Sequence, residues 1–215
     1  MLLEVHGLHA HYGKSHVLHG VDLTVERGGI VSLLGRNGSG RSTTLKAIMG
    51  LVPPLSGEVI FDGRHLERLE AHEIARLGLG YVPEDRRIFA DLTVSENLEV
   101  GRRPARGAAA AWTEEKLFAL FPALAGMRER RGGRMSGGEQ QMLCIARTLA
   151  GNPTAILLDE PSEGLAPVVV EHVAKAIVEL RRAGVSVLLA EQSRHFASRV
   201  ADRAYLLEKG VISKA

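Results

Sequence analysis

The apolar residues of this chain come in short, dense runs, and several of these runs end on a glycine, a hydroxyl or a carboxylate. Ile30-Val31-Ser32-Leu33-Leu34 reads as a buried strand, as do Thr154 to Leu158 and Val185 to Ala190. Between and after them, Thr44 to Met49, Gly137 to Ala150 and Pro167 to Arg182 carry helical spacing. Strands alternating with helices predict a parallel α/β core. Leu2 to His6 and Val17 to Val25 alternate apolar with polar instead, the mark of an antiparallel sheet with one wet face. Asp62-Gly63 after Val59-Ile60-Phe61 is a hairpin turn signal. Thr93-Val94-Ser95-Glu96 is a capping box that starts a helix. Thr113 to Phe121 is a further helix, ended by Pro122, and Gly151-Asn152-Pro153 stops the helix begun at Gly137. Gly101 to Ala111 is a connection rich in Arg, Gly and Ala. Arg203 to Leu207 and Val211 to Ser213 read as closing strands around Gly210. The chain carries no internal repeat. The expectation is one domain over 1–215, with a core of about 1–85 and 153–215 and an inserted helical subdomain of about 86–152.

Composition narrows the classes. A chain of 215 residues with 45% hydrophobic content can bury a proper core. The net charge is +2, so bulk charge makes no case for nucleic acid, and 4% aromatics is too few for a base-stacking platform. Arg128, Arg130, Arg131 and Arg134 form a local basic run that reads as a solvated loop. The single cysteine, Cys144, falls in an apolar helix and reads as a small core residue. No disulfide framework is possible, which fits a reducing cytoplasm. The start of the chain has no basic segment followed by a long apolar one, so no signal peptide is expected. No run reaches 18 apolar residues, so association with a membrane must come through partners.

Three motifs carry chemistry. Gly35-Arg36-Asn37-Gly38-Ser39-Gly40-Arg41-Ser42-Thr43 follows the phosphate-loop pattern G-x-x-x-x-G-K-[ST], with Arg41 in the lysine position. Glycines let backbone N–H groups turn toward a phosphate, and the following helix N-terminus adds a favourable dipole. Ser42 is placed to hold Mg2+. Taken alone, the same residues also describe a glycine turn before an ordinary helix. The strand ending in Asp159-Glu160 supplies the second motif. In nucleotide hydrolases of this class such a strand is expected beside the loop strand, with Asp159 on the Mg2+ shell and Glu160 able to polarise an attacking water. Acidic residues at a turn are the alternative. Ser136-Gly137-Gly138-Glu139 before a helix is the third, and by itself is an N-cap.

Together the three resemble the ATP-binding subunits of ABC transporters, over almost the whole chain. The fold this implies is an α/β, P-loop (RecA-like) ABC ATPase core with an antiparallel β portion and an inserted helical subdomain. Tyr81-Val82-Pro83-Glu84-Asp85-Arg86-Arg87-Ile88-Phe89 and Asp159-Glu160-Pro161-Ser162-Glu163-Gly164-Leu165-Ala166-Pro167 are most similar to the second ATPase subunit of the branched-chain amino-acid uptake family, notably through Ala166, where most ABC ATPases have aspartate. The resemblance implies that Tyr12 stacks on adenine with Val17 beside it, and that Gly35 and residues 37–43 bind the phosphates. It implies that Glu160 is the catalytic base, and that Ser42 and Asp159 hold Mg2+. Ser136, Gly137 and Gly138 would serve a nucleotide on a second subunit. Glu84 falls at the coupling position and Gln192 at the switch position; His195 reads as a solvent-facing residue of the next helix.

The implied cofactors are ATP and Mg2+. The implied partners are a second ATPase subunit, in a homo- or heterodimer, and integral-membrane permease subunits, with no nucleic acid and no membrane insertion. The implied location is cytoplasmic, peripheral on the inner face of the membrane. The implied role is amino-acid import, most simply of branched-chain amino acids, though the solute is decided by other chains. A regulatory half that hydrolyses little, because of Arg41, is a second reading. A soluble ABC ATPase acting on nucleic acid or ribosomes is a third, against which the absence of a long coiled-coil insertion or a tandem cassette speaks. His6, His9, His11, His16 and His19 crowd the first strands without a cysteine or acidic partner to complete a metal site. Trp112 reads as packing. The chain stops soon after Gly210-Val211-Ile212, earlier than the resemblance leads one to expect.

Overall fold

The computed structural model describes residues 1–12, 15–106 and 111–213, and of Tyr12 and Leu55 the backbone alone. Two sheets organise it. The first is antiparallel, in the order β2 (Ser15–Val25), β1 (Leu3–Tyr12), β4 (Pro54–Phe61), β5 (Arg64–His65). Its outer connection is the expected hairpin: Asp62 and Gly63 take φ values of 51° and 74°, the paired positive values of a two-residue turn. The second sheet runs β10 (Val211–Ser213), β9 (Arg203–Glu208), β3 (Ile30–Leu34), β8 (Ser186–Glu191), β7 (Ala155–Asp159), β6 (Leu79–Val82), and is parallel except for β10.

That order corrects one expectation. The strand ending in Asp159 does not lie beside the loop strand β3, because β8 stands between them. Ile30 to Leu34 pair with Val187 to Glu191 on one side of β8, and Ala155 to Asp159 pair with Ser186 to Ala190 on the other. All six residues of β8 are buried, and a strand buried on both faces and bonded on both edges belongs inside a parallel sheet. The three strands still finish together, so Leu34, Asp159 and Glu191 reach the same carboxyl edge, where open α/β sheets bind ligands.

Helices cover the sheet. These are α1 (Arg41–Ile48), α2 (Ala71–Leu77), α3 (Val94–Gly101), α4 (Glu114–Leu120), α5 (Pro122–Ala125), α6 (Gly137–Ala150), α7 (Pro167–Arg182) and α8 (Arg194–Val200). Alternation along β7 divides the core. Ile156 and Leu158 pack with Leu143 and Leu149 of α6, Val173 and Ile177 of α7 and Phe196 of α8. Ala155 and Leu157 face the other way, onto Leu45 and Ile48 of α1 and the apolar face of β1, β2 and β4. Side chains two apart share a face and neighbours oppose, so one apolar strand serves both clusters. The chain does not leave helical structure at Pro122: Phe121 breaks the turn (φ −127°, ψ 76°) and Pro122 opens α5 at its first position, where the missing N–H costs nothing.

Candidate functional site

The loop between β3 and α1 is shaped by close approaches. A Cβ on Gly35 would lie 2.4 Å from Ser39 Oγ and 2.5 Å from the Leu207 carbonyl oxygen. Gly40 caps α1 at φ 108°, a left-handed conformation that favours glycine. Among the described residues no side chain caps this helix, and the N–H groups of its first turn, like those of any helix, have no intrahelical acceptor. They border a cavity of about 550 Å³ lined by residues 36–43 together with Ser15, Val17, Glu84, Glu160 and Glu163. One space therefore gathers the glycine loop, the start of β2, and residues from the ends of β6 and β7.

Across the loop, Ser42 Oγ donates to Asp159 Oδ1 at 2.9 Å. Tyr81 Oη donates to the other carboxylate oxygen at 3.1 Å. Burial pushes the Asp159 carboxyl above its usual range, while the bonds from Ser42 and Tyr81 pull it back. Burial and the Asp159 charge push the Tyr81 phenol up, so it stays a donor. A hydroxyl and a carboxylate form a hard-oxygen pair that fits Mg2+, which takes few protein ligands and completes its shell with water and phosphate oxygens.

Arg41 is 4% exposed and Glu160 8%. Arg41 Nη2 donates to the Glu160 carboxylate and, at 3.2 Å, to Asn37 Oδ1. Its Nη1 donates to the main-chain oxygen of Glu191 at 3.2 Å. The Nε atom is buried without a partner among the described residues. Removing one member of such a buried pair costs about 3–5 kcal/mol, because the other charge is left in low dielectric. Glu160 sits at φ 49°, and its N–H donates to the Ala190 carbonyl at 3.0 Å. Burial raises its carboxyl to about 7; Arg41 opposes this, and the charges of Glu163, Glu191 and Asp159 add to it.

Glu191 is a site residue that sequence reasoning passes over. It is 1% exposed. Its Oε1 accepts from Ser162 N at 3.1 Å and Ser162 Oγ at 2.5 Å, and its Oε2 accepts from Ser193 N at 3.1 Å. The carboxylate thus ties the loop after β7 to the loop after β8. A carboxylate closing an apolar run, as in Asp159-Glu160, is the signal that could find it. Gln192 and His195 are both exposed and share with Glu160 a second cavity of about 410 Å³.

Ser136, Gly137 and Gly138 stand outside both cavities. Ser136 caps α6: its Oγ accepts from Glu139 N at 3.4 Å, and Glu139 Oε2 accepts from Ser136 N at 2.7 Å. The two glycines admit neighbours, since a Cβ on Gly137 would lie 2.7 Å from Arg86 Nη1 and one on Gly138 2.8 Å from Val169. Arg86 lies two residues past Glu84, and its carbonyl accepts from Cys144 Sγ at 2.6 Å, so the Glu84 loop is fastened to the signature helix. Cys144 is fully buried, and burial pushes its thiol up to about 11. Tyr12 ends β1, but its side chain lies outside the described residues. His9, His11, His16 and His19 cluster on the β1–β2 pair, with His9 Nδ1 and His16 Nε2 3.1 Å apart. Among the described residues no three His, Cys, Asp or Glu side chains converge to hold a metal. Trp112 packs partly buried against the main core, and its main-chain N–H donates to Asn152 Oδ1 at 2.7 Å.

A glycine loop feeding a helix, a hydroxyl–carboxylate pair and a buried glutamate at the carboxyl edge of a parallel sheet define a P-loop nucleotide-hydrolase subunit. Residues 18–163 match the sequence profile of the ABC transporter family. The chain is 45% identical to the high-affinity branched-chain amino acid transport ATP-binding protein BraG of Pseudomonas aeruginosa, over 94% of this chain and 87% of that one. It is 36% identical to the lipopolysaccharide export system ATP-binding protein LptB of Haemophilus influenzae, over 98% and 88%. It superposes on a dimeric, post-hydrolysis structure of the ATP-binding cassette MJ0796 with ADP and Pi, with a TM-score of 0.84 and 26% identity over 99% and 97% of the two chains. The chain belongs to the ABC transporter family, as one of its ATP-binding, ATP-hydrolysing subunits. Among the described residues no helix is long and apolar enough to cross a membrane.

Proposed function

We propose that this subunit hydrolyses MgATP to drive import of branched-chain amino acids through a permease. The observation that carries the site is the 550 Å³ cavity in which the loop and Glu160 meet, with the Ser42–Asp159 pair at its edge. In this reading Gly35 and residues 37–43 hold the phosphates, Val17 and Tyr12 face the base, and Ser42 and Asp159 hold Mg2+. Mg2+, when bound, neutralises phosphate charge. Glu160 accepts a proton from the attacking water, and a carboxyl near 7 suits that task. Ser136, Gly137 and Gly138 serve the nucleotide of a second subunit; their distance from this chain's own cavity and the dimeric form of MJ0796 support this. Gln192 and Glu84 report the state of the site to the rest of the complex.

The permease contact belongs to a groove of about 1020 Å³ between the sheet and the helices of residues 86–152, which act as the inserted subdomain of a single cassette. Leu51, Phe89 and Val100, three of the few large apolar side chains left exposed, line it. The subunit is then held at the inner face of the membrane by its permease alone.

The amino-acid substrate class is supported by the 45% identity to BraG. A second reading, energising the extraction of an amphiphile, is favoured by the 36% identity to LptB over 98% of this chain. Reconstitution of the subunit with its permease and binding protein in proteoliposomes separates the two. ATP-dependent accumulation of labelled leucine, isoleucine or valine is the expected result. No uptake of these, with ATP turnover stimulated by a lipid-like cargo, overturns it.

A further inference from the structure

We propose that Arg41 and Glu160 form a latch: without nucleotide the guanidinium holds the carboxylate, and an entering triphosphate takes the guanidinium and frees the carboxylate. The inference rests on the reading of Glu160 as the base. It begins from what Arg41 touches. Each of its acceptors comes from this chain: the Glu160 carboxylate, the Asn37 side chain and the Glu191 carbonyl. The residue in the phosphate-binding position thus has acceptors within the chain itself, and a phosphate must compete with them.

Arginine suits this double use. Its rigid fork reaches Asn37 within the loop, Glu160 past the end of β7 and Glu191 at the end of β8. A lysine ammonium is a compact point donor and bridges such separated acceptors poorly. A terminal phosphate carries more charge than one carboxylate and accepts the fork through two parallel bonds. Exchange of partners is therefore favourable, and it has two effects at once: the ligand gains its cation, and the Glu160 carboxylate is released from its ion pair. The carboxylate is then free to meet a water only when there is something to hydrolyse.

The latch makes Glu160 a competitor of ATP for Arg41, and this is measurable without turnover. Equilibrium binding of MgATP to the isolated subunit, at concentrations where light scattering shows monomer, is the readout. Glu160→Gln should tighten ATP binding by about tenfold, the scale of one charge-assisted hydrogen bond. In an Arg41→Ala background the same Glu160→Gln change should alter the affinity by less than about twofold, because nothing is left to compete for. Should Arg41→Ala not fold, Arg41→Lys serves as the background, and the gain from Glu160→Gln should shrink to about threefold or less. An unchanged affinity on Glu160→Gln in the Arg41 chain overturns the latch, as does an equal gain in both backgrounds, which would show only general charge repulsion. Loss of ATP binding in every variant, the unaltered protein included, overturns the nucleotide site and the latch with it.

Discussion

The phosphate loop and the signature turn both present a helix N-terminus with glycines, yet they are finished to different degrees. At the loop, α1 has no side-chain cap, but the ground beside it is crowded with this chain's own charges: Arg41 on Glu160, Ser42 on Asp159, Glu191 across two serines. At the signature, α6 is closed by a reciprocal capping box between Ser136 and Glu139, and Ser136 is exposed. The first surface is a cluster whose parts hold each other. The second is a tidy helix end that acquires work only from outside. The difference teaches that damage to the loop face should change nucleotide binding in the single chain, and damage to the signature face should change it only in a dimer.

The largest effect should come from Glu160→Gln. Steady-state hydrolysis in the complete transporter should fall by about 10²–10⁴-fold, the usual loss on removing a positioned base. A near-normal rate would remove Glu160 from the reaction. Next is Glu191→Leu, which leaves three donors at Ser162 and Ser193 without their acceptor. Denaturant unfolding of the isolated subunit should show a loss of about 3 kcal/mol, and unchanged stability would mean that the two loops do not depend on the carboxylate.

Third is pH. With its carboxyl raised from 4.5 to about 7, Glu160 can serve as the proposed base only when deprotonated, so hydrolysis should climb about tenfold per pH unit below 7 and level above it. The folded state also binds this proton more tightly than the unfolded chain. Its contribution to stability is therefore full below 4.5 and lost as pH rises through 7. Glu160→Gln should flatten the stability slope between those values; a slope that persists belongs to other groups. The smallest effect should be Ser136→Ala, which removes a cap worth about 1 kcal/mol to the isolated chain. Its monomer affinity for ATP should stay within about twofold while ATP-driven dimerisation weakens. Equal loss of monomer binding would place Ser136 in the wrong site.

What the sequence discloses is what is local. The capping boxes at Thr93 and Ser136 are readable because the partner sits three residues away, and the Asp62-Gly63 hairpin because turn chemistry is confined to two residues. The buried strands are readable because each is a dense apolar run. The order of those strands is not, since β8 displaces β7 from β3 through pairing on both edges, and no run of letters records edge pairing. Helix α2 escapes notice because it buries only Ile74, and one buried residue has no period. Arg41 is readable as a cation facing phosphate; its contact with Glu160, 119 residues on, is not.

The neighbours of β3 have a consequence for the order in which this protein comes into being. Both strands that flank the phosphate-loop strand, β8 and β9, lie between residues 186 and 208. The loop is also held from behind by the turn that follows, where Gly210 N donates to the Ser39 carbonyl at 2.9 Å. On the ribosome, where synthesis runs at about 5–20 residues per second and long-range pairing is slow, the loop emerges early but has nothing to rest against. A nascent chain therefore stays blind to nucleotide until the segment from 186 to 210, made long after the loop itself, has joined β3.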